Sequence, residues 1–515
     1  MCLAALMLGH FILSLLTGLF RHWGNLTRDL ANFDMAIWNT IQGRILMIHM
    51  DIFDVPVSRL ATHFDPIQLI FVPFYLLSPT VAWFTAGQAL ALAITAWPVY
   101  LLASRIFESE KNGLIWALIF LVNPFLLNAA AWDFHPITLA VPFVALGLLA
   151  VESKNFKIML FCALVILLCK EHLGVMIIGF GILWWIRTRQ WIPGTALVLL
   201  GAAHFYLVLQ VIMPAFSPTG QHVMVSEGLG QLSRYAWLGD SVGDIVRTLI
   251  TQPIYVLKTV LISMGGLGYL VLLLIPFLFF PLLGLIYLLP GMADLAANML
   301  SANPMPRSEF AYHSVTLIPI FTVAAIYGIN KFSMWQKRFS TKEISMLVLF
   351  ASLFMGYLLA PFPIPGAKNI WAPASFIHLP DSRVQNIRSI IGDEASISVQ
   401  ANIGAHLSQR PEIYRFPNRV GQVDAIVLWL ESPTKNIHNY LDEQEKRQFI
   451  SDMLDNHLQM DREDFLASVA ELLLDEDFGV AYWDDPWLVL KRNMNGKDVA
   501  NDVMAKLEEL REKWR

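Results

Sequence analysis

Five short polar stretches interrupt the apolar part of this chain with residues that could do chemistry. They are TRDLANFD (27–34), THFDP (62–66), WDFHP (132–136), CKEH (169–172) and PRSEFAYHS (306–314). Each supplies carboxylates, imidazoles or cations, the groups that move protons, hold metals or receive phosphates. Each stands at the end of an apolar run rather than in a polar tail. An ionisable group at membrane depth is costly, so such groups usually mark a pathway or an active site.

Every stretch also has an ordinary reading. Asp29 and Asp34 lie five residues apart, with Phe33, Ile37 and Trp38 on one helical face suited to a membrane interface. A carboxylate there could act as a general base or bind a cation, or simply cap a helix. His63 and Asp65 precede Pro66, and Asp133 and His135 precede Pro136. An Asp–His pair can hold a metal or a phosphate, while a polar residue before proline is a common helix start. That makes His63, Asp65, Asp133 and His135 the candidate metal ligands. Lys170, Glu171 and His172 separate two apolar runs with almost no loop. Facing lipid, three such residues would be expensive, so they should line a protein-walled or wet cavity. The plainer alternative is a tight turn with Lys170 snorkelling to the surface. In the fifth stretch, Arg307, Glu309, Tyr312 and His313 could bind phosphate or sugar hydroxyls, because the guanidinium fork makes paired hydrogen bonds.

The elements that must position these residues follow from hydropathy. The chain has 515 residues, 56% hydrophobic and 15% charged. A soluble chain carries nearer a quarter charged residues. The bias stops near residue 365, which predicts a membrane domain over 1–365 and a soluble domain over 366–515. A net charge of −5 with no basic tract points away from nucleic acid. The cysteines, Cys2, Cys162 and Cys169, all lie in apolar segments, so no disulfide framework is expected. No Walker loop, dinucleotide fingerprint, HExxH or paired CxxC appears, which argues against a primary ATP-driven pump.

A spanning helix needs about 20 apolar residues. Eleven candidate spans result: 3–20, 87–105, 112–130, 137–151, 157–170, 173–186, 192–213, 254–274, 276–293, 313–330 and 343–361. Residues 3–20 have no basic flank before them and no small-residue cleavage site after them, so they read as a retained span. The run 257–290 is split at Pro276, where a backbone donor is lost. Residues 66–77 are too short to span and read as an interfacial or re-entrant helix. Basic charge concentrates in loops 105–111, 154–157, 187–189 and 331–342. Eleven spans with the amino terminus inside put all four in the cytoplasm. The loops 21–86, 131–136, 171–172, 214–253 and 294–312 then face outward, together with the carboxyl-terminal domain and every stretch named above.

In that domain ASISVQ (395–400), EIYRF (412–416) and DAIVLWL (424–430) read as strands, with a short helix at 405–409. Charged helices follow near 440–457 and 461–475, then a hairpin over 478–492 with Asp485–Pro486 in its turn, and a last helix near 498–514. The expectation is a small α/β domain with a mixed sheet.

The pieces DLANFDMAIWN, THFDP, PVYLLASRIF, WDFHP, LLCKEHLGV and QANIGAHLSQRPEIYRFP together resemble domain-of-unknown-function family 2079. That is a group of prokaryotic multi-span membrane proteins similar to the GT-C glycosyltransferase superfamily. The resemblance implies a GT-C-like helical domain with a soluble α/β domain, in the prokaryotic cell (inner) membrane. It also implies a polyprenyl-phosphate-linked sugar donor in the bilayer and transfer to an unspecified acceptor on the outer side. By position Asp29 matches the acid of the first outer loop that deprotonates or orients the acceptor, with Asp34 next and Asp133 as a supporting acid. Lys170, Arg307 and His313 match the basic residues that steady the leaving phosphate, and His63, His135, Glu171 and His172 join them as binding candidates. Some relatives need a divalent cation and others do not. This chain departs from the superfamily's paired acids, since Leu30 follows Asp29. The rival readings are a lipid or solute transporter or flippase using the same Lys, Glu and His as a relay, and a non-catalytic membrane scaffold.

Overall fold

The computed structural model describes all residues except 24–28, 50–54, 222–232, 337, 361–380, 434–442 and 496–498. Thr27, part of the expected loop 214–253, the junction near 365 and the start of the 440–457 helix lie outside the described residues. Two compact units form. The first comprises Met1–Gly18, Arg59–Phe71 and Ala82–Trp371, and the second Leu19–Ser58, Val72–Val81 and Ala372–Arg515. The units do not follow chain order, because two pieces of the stretch 21–86 cluster with the carboxyl-terminal residues.

Among the described residues five helices are long and apolar enough to cross a membrane: Cys2–Leu19, Ala82–Ile106, Trp191–Phe216, Leu317–Trp335 and Thr341–Leu359. Two bent pairs raise that to seven if each is one broken span: Glu110–Leu121 with Pro124–Ala131, bent by 51°, and Gly243–Thr251 with Pro253–Ser263, bent by 93°. Six apolar helices of 10–17 residues, Pro66–Leu77 among them, are shorter. Eleven uniform spans are therefore not what the described helices give. The expected span 254–274 breaks at Gly265, whose φ of +73° a glycine adopts without strain. The expected span 276–293 is a series of 3-10 turns, Ile275–Phe277, Phe280–Leu283 and Leu285–Gly291. Hydropathy registers its apolar residues but not that Pro276, Pro281 and Pro290 each remove a helical donor.

The helices Leu173–Thr188 and Trp191–Leu207 form a tight hairpin. Their backbones touch at two levels. A Cβ on Gly174 would stand 2.7 Å from the Gly201 carbonyl oxygen, and one on Gly181 would stand 2.7 Å from that of Gly194. Backbone cannot step aside as a side chain can, so this pair is held at a fixed spacing. The turn entering Leu173 is fixed with it.

In the second unit the sheet is mixed, as expected. Two short strands, β1 (Met47–Ile48) and β2 (Val57–Ser58), pair antiparallel. The main sheet comprises β3 (Ile397–Val399), β4 (Ile413–Arg415), β5 (Ala425–Trp429), β6 (Phe478–Asp484) and β7 (Trp487–Arg492), ordered β4-β3-β5-β7-β6. β3 runs parallel to β4 and β5, and β7 runs antiparallel to β5 and β6. The helices Glu443–Leu458, Arg462–Leu474 and Ala500–Trp514 contribute Leu458, Phe465, Val469, Leu507 and Trp514 to the core beside Ile426, Leu428 and Leu488. The short helix expected at 405–409 is a 3-10 turn over Ala401–His406. Ser408 and Gln409 follow it and reach back to the helix Leu30–Ile41, as described below.

Candidate functional site

Two of the polar stretches meet in the first unit. The helix Phe156–Leu167 starts at Asn155, whose side chain accepts the Ile158 amide at 3.2 Å. The next helix begins at Leu173, leaving Lys170, Glu171 and His172 in a half-buried turn. The loop before Pro66 docks on this turn. Glu171 Oε1 accepts from His63 Nδ1 at 3.1 Å, Oε2 accepts the Phe64 amide at 3.1 Å, and the Ile67 amide donates to the Leu168 carbonyl at 3.0 Å. Asp65 is fully buried and already engaged. Arg59 Nη2 reaches its Oδ2 at 2.8 Å, Arg59 Nε lies 3.2 and 3.1 Å from its two oxygens, and Gln68 Nε2 donates at 2.7 Å. Asp65 therefore shapes the loop that presents His63.

Burial alone would raise the Glu171 carboxyl, but His63 and Lys170 outweigh it and hold the group well below the usual carboxylate range. Burial lowers the His63 imidazole, and Lys170 pushes the same way, against the pull of Glu171. Glu171 is the ionised member of the pair and accepts from His63 Nδ1. Both shifts have one sign for stability. The join is fully formed above the ordinary histidine value and weakens as pH falls below it, because the unfolded chain takes up those protons first.

Sequence reasoning missed the partner of His172. Asp294, from the helix Met292–Leu300, places Oδ1 3.5 Å from His172 Nε2, and its Oδ2 accepts the Thr316 hydroxyl at 2.6 Å. One turn further on, Asn298 Nδ2 donates to Tyr269 OH at 3.1 Å and to the His313 carbonyl at 3.4 Å, while Tyr269 OH lies 2.8 Å from Ser314 Oγ. Positions four apart share a helix face, so this one helix serves both groups. Its signal in the sequence was a lone acid in the apolar run MADLAANML. Arg307 spends Nη1 on the carbonyls at the end of the same helix, Asn298 at 3.1 Å, Met299 at 3.4 Å and Ser301. That is a helix C-cap by a cation, favourable to the dipole.

WDFHP is tied to the fifth stretch by stacking. The His135 ring lies on Tyr312 with centroids 3.6 Å apart, and Tyr312 lies on His313 at 4.3 Å. His135 Nδ1 stands 2.9 Å from the Asp133 carbonyl, which can only accept, so that nitrogen carries the proton. Gln88, a buried amide in an apolar helix, donates to the Ala129 and Trp132 carbonyls and accepts the His135 amide and the Thr138 hydroxyl. Phe71, Phe84 and Phe134 pack with centroids 4.8 to 5.4 Å apart, linking this loop to the segment that follows THFDP. Asp133 itself is half-buried.

The metal-ligand candidates are not brought together. Among the described residues no three His, Cys, Asp or Glu side chains are grouped to hold an ion. His63 is committed to Glu171, Asp65 to Arg59, and His135 Nδ1 to a carbonyl. As placed among the described residues, these four do not fit a divalent-cation site.

The first stretch belongs to the second unit. Asp29 is exposed at the start of the helix Leu30–Ile41, and its side chain makes no capping hydrogen bond. Asp34 is fully buried on the same helix. Its Oδ1 accepts Tyr75 OH at 2.7 Å and Gln409 Nε2 at 3.0 Å, and its Oδ2 accepts the Ser408 hydroxyl. Burial raises its carboxyl above the usual range, against the opposing pull of Ser408, Gln409 and Tyr75. With every contact inward, Asp34 joins the helix to the segment after β3 and is not placed to meet a substrate. Asp34→Leu should strand two buried donors, Tyr75 and Ser408, take one acceptor from the half-buried Gln409, and lower stability by about 3 kcal/mol. Asp34→Asn, which keeps an acceptor, should lose less. Denaturant unfolding of the purified chain, followed by fluorescence of the tryptophans of this unit, would read both.

The family model of the predicted membrane proteins designated DUF2079 matches residues 25–463. The chain belongs to that family. None of the curated proteins matches it. Among solved structures, ArnT from Cupriavidus metallidurans bound to undecaprenyl phosphate is similar at 11% identity and a TM-score of 0.45, over 94% of this chain and 98% of that chain. The apo state of ArnT is similar at 11% identity and a TM-score of 0.43, over 92% and 96%. A likeness that distant assigns no activity.

Proposed function

We propose that the chain is an integral membrane glycosyltransferase that takes a sugar from a polyprenyl-phosphate-linked donor and passes it to an acceptor. The observation that carries this reading is the turn 170–172. Glu171 is held by His63 and the Phe64 amide, and His172 is faced by Asp294. Among the described residues Lys170 has no carboxylate within ion-pair distance. An uncommitted cation fixed among paired charges, at the ends of two apolar helices, suits an anionic group that arrives along the bilayer.

The chemistry needs that arrangement. Glycosyl transfer builds positive charge on the sugar ring and negative charge on the departing phosphate. Fixed charges in a water-poor pocket stabilise both better than solvent does. In this reading Lys170 and His172 receive the phosphate and Asp133 is the supporting acid; Asp29, in the second unit, is proposed separately as the acceptor's base, from its place in the first outer loop. Were each apolar run between the basic loops to cross once, those loops would favour a site on the outer side of a prokaryotic cell membrane, with the carboxyl-terminal domain also outside.

The full chain in liposomes containing a labelled polyprenyl-phosphate sugar, with a membrane extract as acceptor source, should release polyprenyl phosphate as the sugar leaves. Intact donor appearing in the opposite leaflet without release would instead make the chain a lipid transporter.

A further inference from the structure

The helix Val242–Thr251 in the first unit carries an apolar stripe wider than its packing uses. Ser241 caps it, the hydroxyl accepting the Asp244 amide at 3.1 Å. Ile245 and Leu249, four apart on one face, pack on the cluster of Leu238, Val256 and Val260. Val246 and Ile250 stand next to them around the helix and are exposed, Ile250 by 73%. Asp244, Arg247 and Thr251 hold the far side, and all three are exposed. The helix stops at Gln252, which leaves the helical region (φ −128°, ψ 46°) as a residue before proline tends to. The following limb, Pro253–Ser263, turns away by 93°. Its Ile254, Leu257 and Ile262 are exposed as well, Ile254 by 81%. The elbow is braced on the end of the helix Met292–Leu300. Trp237 meets Tyr255 edge-on with centroids 6.1 Å apart and donates from Nε1 to the Leu300 carbonyl at 2.9 Å, and Tyr235 OH donates to the Ala297 carbonyl at 3.2 Å.

We infer that Val242–Thr251 is not half of a broken span but an anchor lying in the plane of the membrane, its exposed stripe seated where lipid headgroups meet acyl chains. The occupant of that stripe follows from what adjoins it. The apolar surface of Val246 and Ile250 leads directly into that of Ile254 and Leu257 on the next limb, so the medium that covers one covers the other. A limb this apolar belongs among acyl chains, and a right-angled elbow then lays the helix before it flat. Trp237 and Tyr255 stand at the elbow, and such amphipathic rings gather at headgroup level. Upright in the bilayer, the helix would instead carry the exposed Asp244 and Arg247 into hydrocarbon, which is costly. These two opposite charges also offset one another, so apolar burial holds the helix down and neutral phosphatidylcholine suffices as its partner. The anchor stands whether or not the chain transfers a sugar.

The test uses the full chain in phosphatidylcholine liposomes. With Cys2→Ser in place and Cys162 and Cys169 buried, a fluorophore is attached in turn at Val246→Cys, Ile250→Cys and Asp244→Cys. All three positions are exposed, so each substitution should leave the fold intact. Lipids bearing a nitroxide beside the headgroup or near the terminal methyl quench according to depth, and iodide quenches from the water. The labels at 246 and 250 should lie about 5–10 Å below the headgroup boundary, quenched more by the shallow nitroxide than by the deep one. The label at 244 should be quenched chiefly by iodide. Stronger quenching at 246 and 250 by the deep nitroxide would make the helix a limb of a span and overturn the anchor. Quenching there by neither lipid would show the stripe covered by protein, from this chain or a second copy, and would overturn it too.

Discussion

Lys170→Met is expected to lower sugar transfer by about a hundred-fold or more, the size of losing one fixed charge aimed at a developing anion. The aliphatic stem is kept, so packing in the half-buried turn should survive. Glu171 and His63 keep their hydrogen bond, and so do the Phe64 amide and the Ile67–Leu168 bond that dock the loop. What disappears is the positive charge. The rate should fall through both the binding of the donor and the chemical step, because the phosphate is already anionic in the donor and gains charge as it leaves. Transfer kinetics with the donor varied, run beside a thermal melt that should barely move, check this. Lys170→Arg, which keeps the charge but changes its shape, should retain part of the rate.

Asp29→Asn is expected to reduce transfer by about a hundred-fold or more while leaving donor binding nearly intact, as removal of a general base does. The choice of Asp29 over Asp34 rests on what each carboxylate is doing. Asp34 has three donors and no exposure, and its removal damages the second unit. Asp29 is exposed at the start of the helix Leu30–Ile41. Rates of sugar transfer and affinity for the donor, measured on the same preparation, separate the two effects. A variant that loses both together would speak for a binding role at residue 29.

Some of this was legible in the sequence and some was not, for identifiable reasons. Lys170, Glu171 and His172 stood out because three ionisable residues cannot sit between two apolar runs without protein around them. The mixed sheet was legible because its strands are short, apolar and separated by turn residues. The partner of Glu171 was not, since His63 lies 108 residues away and nothing in either segment encodes the meeting. Nor does the sequence encode the bond between Asp34 and Ser408, 374 residues on. Asp294 was hidden in a stretch whose hydropathy resembles a span, and the same averaging turned the proline-broken turns of 275–291 into a helix. Arg307 has a second role that its sequence did not announce. Its fork suggested a phosphate, and its Nη1 is spent capping the helix that carries Asp294.

The central claim is that the turn 170–172 receives a lipid-linked phosphate. Equilibrium binding of a labelled polyprenyl phosphate to the full chain in nanodiscs tests it most directly. Saturable binding by the unmutated chain, weakened ten-fold or more in Lys170→Met, is the result predicted. Equal affinity in the two proteins would contradict it.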